Sequence, residues 1–280
     1  MCRLFGFKSS ISSQVHRSLL RADNALAVQS EDHPDGWGVA YYIENIPHLI
    51  KNSKIALEDN LFERVSGIVS SKVVLAHIRK ASVGDINMLN CHPFQYGPWT
   101  FAHNGEIKNW ECVSDQLISR VAPKYRRFIL GKTDSEVCFY LFLTHLQQRS
   151  EIAHWALPYA DAIAALQDTV QEIREVSDTE DKPSWLTFLL TNGSLILGCQ
   201  GGQELVYSTY KRSCEERETC PYLSAECENP SDGAINHILV ASEPISKEDI
   251  WVPLNEGEAF CLDMQMKLHS FEIRKIDAGA

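Results

Sequence analysis

The chain has 280 residues, 44% of them hydrophobic and 22% charged, and carries a net charge of −11. This is the composition of a folded globular protein with enough apolar material for a sizeable core. The acidic balance argues against nucleic acid or an anionic membrane surface as a partner, because both call for basic patches. The N-terminus lacks the basic and apolar regions of a secretory signal, no apolar run approaches the ~18 residues of a membrane span, and the nine cysteines are an odd number. A cytoplasmic protein with reduced thiols is expected, rather than a disulfide framework.

Cys2 follows the initiator methionine directly. Removal of Met1 would leave one residue holding both a thiol and a free α-amine. The thiol is nucleophilic only as thiolate, and an α-amine titrates near 7.7–8.0, so nucleophile and general base could come from a single residue.

Further along, Gly36 to Ile43 is β-branched and aromatic and predicts a strand. Lys72 to Arg79 reads as a buried strand with a polar tip, and Trp99 to His103 as a third strand, stopped by the turn dipeptide Asn104-Gly105. Thr133-Asp134-Ser135-Glu136 has capping-box spacing before the apolar run Val137 to Leu146, so a helix should start there. A second helix is expected from Tyr159 to about Val176, then a polar breaker from Asp178 to Pro183. The rest reads as strands: Trp185 to Leu190, Leu195 to Cys199, Glu204 to Tyr210, Ile238 to Ser242, Ala259 to Asp263 and Lys267 to Ile273. Lys211 to Asn236 is polar and reads as a surface excursion. No repeat or composition shift divides the chain, which predicts one domain over residues 1–280 with a layered α+β architecture.

Four polar constellations fall at predicted strand ends or helix starts. Asp35-Gly36-Trp37-Gly38 enters a strand, and alone reads as a turn. His77-Ile78-Arg79 ends one; Arg79 offers a planar fork suited to a carboxylate. His103-Asn104-Gly105 could supply an oxyanion hole, from the Asn104 amide and the Gly105 N–H. Asp134 in the first turn of its helix has a helix-dipole role, and could equally accept a substrate ammonium. His92 before Pro93 reads as a structural, hydrogen-bonded histidine. Cys214, Cys220 and Cys227 lack the close C-x2-C pair of common zinc sites, so no metal is expected; Cys91, Cys112, Cys138, Cys199 and Cys261 should pack as small apolar residues.

A thiol with its own amine, a carboxylate fork, an ammonium acceptor and an amide pair would together bind the amino-acid end of glutamine and attack its side-chain carbonyl. In their order along the chain, Cys2, His77-Ile78-Arg79, His103-Asn104-Gly105 and Thr133-Asp134-Ser135-Glu136 resemble the class II glutamine amidotransferases, which are N-terminal-nucleophile hydrolases. Asp35-Gly36-Trp37-Gly38 and Ala241-Ser242-Glu243-Pro244 resemble its short free-standing branch, with amidohydrolases of glutathione degradation and ergothioneine biosynthesis. The resemblance implies a four-layer αββα sandwich of two antiparallel sheets. It also implies Cys2 as nucleophile, Asn104 and Gly105 as oxyanion hole, and Arg79 and Asp134 as holders of the substrate's α-carboxylate and α-ammonium. His77 and Trp37, from the same blocks, are implied as further substrate-binding residues. The implied reaction is hydrolysis of the γ-amide of glutamine or a γ-glutamyl amide or peptide through a thioester on Cys2, without cofactor. With no synthase segment before Ala280, the alternative is a glutaminase subunit that supplies ammonia to a separate synthase or amidohydrolase-complex partner. Lys80 stands where the synthase-fused members carry a Trp, so their pocket walls do not transfer.

Overall fold

The computed structural model describes residues 2–210 and 234–273. In chain order the strands are β1 Arg3–Gln14, β2 Trp37–Ile43, β3 Ile46–Asn52, β4 Ser70–Ile78, β5 Phe94–Tyr96, β6 Trp99–Glu106, β7 Trp185–Thr191, β8 Ile196–Cys199, β9 Val206–Ser208, β10 His237–Ala241, β11 Val252–Pro253, β12 Glu258–Leu262 and β13 Leu268–Glu272. The helices are α1 Leu26–Gln29, α2 Asn60–Ile68, α3 Trp110–Arg120, α4 Pro123–Arg126, α5 Asp134–Leu146 and α6 Tyr159–Ser177. The strands form two antiparallel sheets, one ordered β11-β9-β10-β1-β4-β2-β3 and the other β13-β12-β8-β7-β6-β5.

Alternation along the strands sorts the apolar side chains into three layers. Leu4, Leu75, Ala102, Leu189, Val240 and Phe260 fill the space between the sheets. Phe5, Trp37, Val74 and Ala76 point the other way, onto Leu26 of α1 and Phe62 and Val65 of α2. From the second sheet, Phe101, Phe188, Leu190 and Leu197 pack on Phe139 and Phe142 of α5 and Leu166 and Val170 of α6. The result is helix, sheet, sheet, helix: the expected αββα sandwich. Every residue of α5 except His145 is buried, because α5 is pressed between the second sheet and α6.

Several sequence expectations need correction. Asn104-Gly105 is not a turn: β6 runs through it to Glu106, with Asn104 opposite Thr187 and Gly105 opposite Leu186 of β7. Thr133 caps α5, accepting from the Glu136 N–H, but Glu136 does not return the bond; its carboxylate takes the Leu130 and Gly131 N–H groups instead. Cys91, Cys138, Cys199 and Cys261 are buried, whereas Cys112 lies exposed on α3. The reading of Lys211 to Asn236 falls largely outside the described residues, and its three cysteines do so entirely. Among the described residues no helix is long and apolar enough to cross a membrane, and no cluster of three or more His, Cys, Asp or Glu is placed to hold a metal.

Candidate active site

Antiparallel pairing brings the candidate residues to one end of the sandwich. β1 begins where β4 and β10 end and β2 begins, since Arg3 and Trp37 both pair with Ile78, and Phe5 with Ala241. Cys2, Asp35-Gly36, Arg79-Lys80 and Ser242-Glu243 are therefore neighbours on the first sheet. The second sheet contributes the end of β6, and α5 contributes Asp134.

The Cys2 sulfur rests against the Lys80 peptide, 3.3 Å from both its N–H and its carbonyl oxygen. Burial raises the thiol above its ordinary value of 9.0; the Lys80 N–H and the Arg79 charge oppose that rise, and the Asp134 charge adds to it. Arg79 and Asp134 thus both lie within electrostatic reach of the sulfur. The buried Arg79 guanidinium donates to the backbone carbonyls of Val83, Gly84 and Asp85 at 2.9–3.1 Å, which aligns its fork without consuming its charge on a carboxylate. Asp35 and Gly36 bracket this segment. Gly36 O accepts from Arg79 N at 2.7 Å, Asp35 N donates to Arg79 O, and the Asp35 carboxylate takes Ala81 N at 2.8 Å. Gly36, at φ +130°, lies where a side chain would overlap the Cys91 sulfur.

Asp134 is buried, and its carboxylate accepts from the N–H groups of Ile107 at 2.7 Å and Ser135 at 2.8 Å, joining the start of α5 to the end of β6. Next to it His103 bridges Ser135 Oγ, 2.9 Å from Nδ1, and the Trp185 carbonyl, 2.8 Å from Nε2. The carbonyl can only accept, so Nε2 carries a proton, while the Ser135 hydroxyl faces both Nδ1 and, at 3.3 Å, the Asp134 carboxylate. Burial lowers the His103 pKa against the opposing pull of the Asp134 charge. Gly105 fits because a Cβ there would overlap the Trp185 carbonyl that His103 uses. Asn104 is buried with its Nδ2 3.4 Å from Ser242 Oγ; its Oδ1 has no partner among the described residues.

Cys2, Arg79, Asn104, Gly105 and Asp134 are thus gathered at one end. Trp37 and His77, expected beside them, are buried away from this end. Trp37 is completely buried on the helix-facing side, with its indole N–H on Asp59 at 3.0 Å and its ring edge-on to Phe62. His77 is completely buried between the sheets, its Nε2 3.2 Å from His103 O and its ring centroid 4.2 Å from that of His92, tilted by 35°. His92 has no hydrogen-bond partner on either nitrogen among the described residues, against its expected role. Asp35 and Ser242 belong to the site although the sequence marked them only as parts of motifs. The Lys80 peptide left no signal, since a backbone group has no residue type.

The fold is a two-sheet αββα sandwich with Cys2 at the shared strand end. The family model for class-II glutamine amidotransferases matches residues 1–272, and the chain belongs to that family of enzymes. Its relatives include the probable glutamine amidotransferase DUG3 of Saccharomyces cerevisiae, 30% identical over 224 residues, 70% of this chain and 62% of that protein. They also include the gamma-glutamyl-hercynylcysteine sulfoxide hydrolase of Mycobacterium tuberculosis, 28% identical over 73% of this chain and 78% of that one. The match spans 62% of DUG3 and 40% of a Methanocaldococcus jannaschii relative. Among solved structures, a glutamine aminotransferase class-II domain protein from Silicibacter pomeroyi superposes with a TM-score of 0.64 at 20% identity, covering 98% of this chain and 100% of that one. The glutamine phosphoribosylpyrophosphate amidotransferase of B. subtilis gives 0.61 at 14%, over 98% of this chain and 49% of that one. At these identities the two structures establish the fold.

Proposed function

We propose that this chain hydrolyses the γ-amide bond of glutamine or of a substituted γ-glutamyl amide, giving glutamate and ammonia or an amine. The observation that supports it most is the placement of the Cys2 sulfur on the Lys80 peptide, directly after Arg79 and within the field of Asp134. A group with one carboxylate and one ammonium, as at the α-carbon of glutamate, is complementary in charge to Arg79 and Asp134.

With Met1 removed, the Cys2 α-amine takes the thiol proton, directly or through a water. The thiolate attacks the γ-carbonyl carbon, a C–S bond forms, and the oxyanion is held by the Asn104 amide and the Gly105 N–H. The ammonium returns its proton to the leaving nitrogen as the C–N bond breaks. Water then adds to the γ-glutamyl thioester, releasing glutamate and regenerating the thiol. Arg79 and Asp134 hold the α-carboxylate and α-ammonium throughout. Burial raises the thiol, which favours its protonated form, and the amine supplies the base that removes the proton.

The M. tuberculosis relative, whose name describes a γ-glutamyl conjugate, supports substituted amides as the substrate class. The test is glutamate release by protein with Cys2 as its first residue, offered glutamine, glutathione and simple γ-glutamyl amides side by side. Turnover fastest on a substituted compound is the expected result. Slow release from glutamine alone would assign the chain to a complex with an ammonia-consuming partner. No release from any compound would overturn the stand-alone hydrolase.

A further inference from the structure

Ser242 is buried where β10 has just ended, on the side of the first sheet that faces Asn104. The ladder between β1 and β10 closes with Phe5 opposite Ala241. One residue further, Ser242 N donates to Leu4 O at 3.2 Å, but no backbone carbonyl returns the bond. The Ser242 hydroxyl does so instead, accepting from Leu4 N at 2.9 Å. A side chain thus completes the final rung of the nucleophile's strand, two residues from Cys2. The same oxygen lies 3.4 Å from Asn104 Nδ2, across the gap between the sheets. A hydroxyl oxygen has two acceptor lone pairs, and these two N–H groups account for both.

We propose that Ser242 is a positioning residue that ties the oxyanion-donor amide of Asn104 to the strand carrying Cys2. The proposal rests on the hydrolase reading above and adds a residue to it. The second N–H of the Asn104 amide is the one left for the substrate oxygen. With its first N–H anchored on Ser242, the amide plane is fixed relative to the nucleophile rather than free to rotate. The nucleophile and the oxyanion donor come from different sheets, and Ser242 is the one side chain described as bonded to both β1 near Cys2 and Asn104. An oxyanion exists only after attack, so this anchoring acts on the transition state and leaves ground-state binding alone.

The experiment compares wild type, Ser242→Ala and Ser242→Thr, each with Cys2 as first residue, by steady-state kinetics on the best γ-glutamyl amide. Binding of glutamate and of glutamate γ-semialdehyde is measured alongside. The aldehyde adds reversibly to the Cys2 thiol and forms a hemithioacetal whose oxygen occupies the oxyanion position; glutamate does not. In Ser242→Ala, kcat should fall about 10-fold or more, less than the 10²–10³ seen when an oxyanion donor is removed outright. Aldehyde affinity should fall by a similar factor, while KM and glutamate affinity stay within about 3-fold. Ser242→Thr keeps the hydroxyl and should recover most of the loss. Thermal unfolding of each variant separates this from a general loss of fold. An active wild type beside a Ser242→Ala variant with unchanged kcat and aldehyde affinity would overturn the proposal alone. So would a variant that loses glutamate affinity as much as aldehyde affinity. Wild type that neither turns over nor binds the aldehyde would overturn the hydrolase reading and this proposal with it.

Discussion

Arg79 shows what one residue type contributes that its nearest substitute cannot. Its fork is aimed by three carbonyls of the loop from Val83 to Asp85. Lysine, a point charge, cannot bond all three and still present two donors to a carboxylate. Arg79→Lys should therefore raise KM for γ-glutamyl substrates roughly 10–100-fold, as expected for losing a charged hydrogen bond, with kcat changed only a few-fold. Unchanged KM in steady-state assays would show that Arg79 braces its loop and nothing more. Arg79 was legible in the sequence because a guanidinium at a strand end is a chemical signal. Trp37 and His77 lie apart from it because a motif names neighbours in sequence, whereas a strand sends alternate side chains to opposite faces. Trp37 shares the outward face of Ile78, its partner in the ladder. His77 shares the inward face of Arg79 but sits two residues, about 7 Å, deeper in the sandwich.

At the scale of elements, Trp37 has a role in holding α2 to the sheet. Asp59 caps α2 by accepting from Leu61 N at 2.9 Å, and it also takes the Trp37 indole N–H and the Asn52 amide at 3.0 and 2.7 Å. Asp59→Ala should destabilise the protein by about 2 kcal/mol or more, the sum of a lost cap and a buried indole donor left without a partner. Denaturant unfolding would measure it; a loss under about 0.5 kcal/mol would mean that α2 is held by Phe62 and Val65 alone. Such a brace is invisible in sequence, because Asp59 and Trp37 are 22 residues apart. By contrast α5 and α6 were legible from an apolar run with a capping threonine and from helical periodicity. β1 was not: Gly6, Lys8 and a run of serines break its alternation, and it is a strand because β4 and β10 pair with it on both sides. Asn104-Gly105 carries the turn signal, but seven rungs with β7 and the Asp134 bond to Ile107 N keep it extended.

For the whole molecule, the interior between and around the sheets holds several buried histidines. Burial lowers His33, His77, His92 and His103, with His77 pushed from its ordinary 6.5 down to about 3. Unfolding lets each take a proton at its ordinary value, so the unfolded chain binds more protons below 6.5. Their contribution to stability is complete above that pH and is lost as pH falls through their lowered values, for His77 towards about 3. The thermal midpoint should therefore drop between pH 6.5 and 5, where ordinary carboxylates are still ionised; a midpoint that is flat or rises there would mean these histidines are already charged in the folded protein. The layered α+β class could be read from strand groups and helices in order, but the crossing of the two sheets that joins Cys2 to Asn104 could not, because it depends on long-range pairing. In the proposed reaction this assembly makes Cys2 a nucleophile towards a γ-glutamyl carbonyl. The most direct measurement is intact mass and peptide mapping after exposure to a diazoketone analogue of glutamine, which alkylates an attacking thiolate with loss of dinitrogen. One adduct is expected, on the Cys2 sulfur, in protein whose first residue is Cys2, with labelling slowed by glutamate. No adduct, or one on another cysteine at an equal rate, would contradict it.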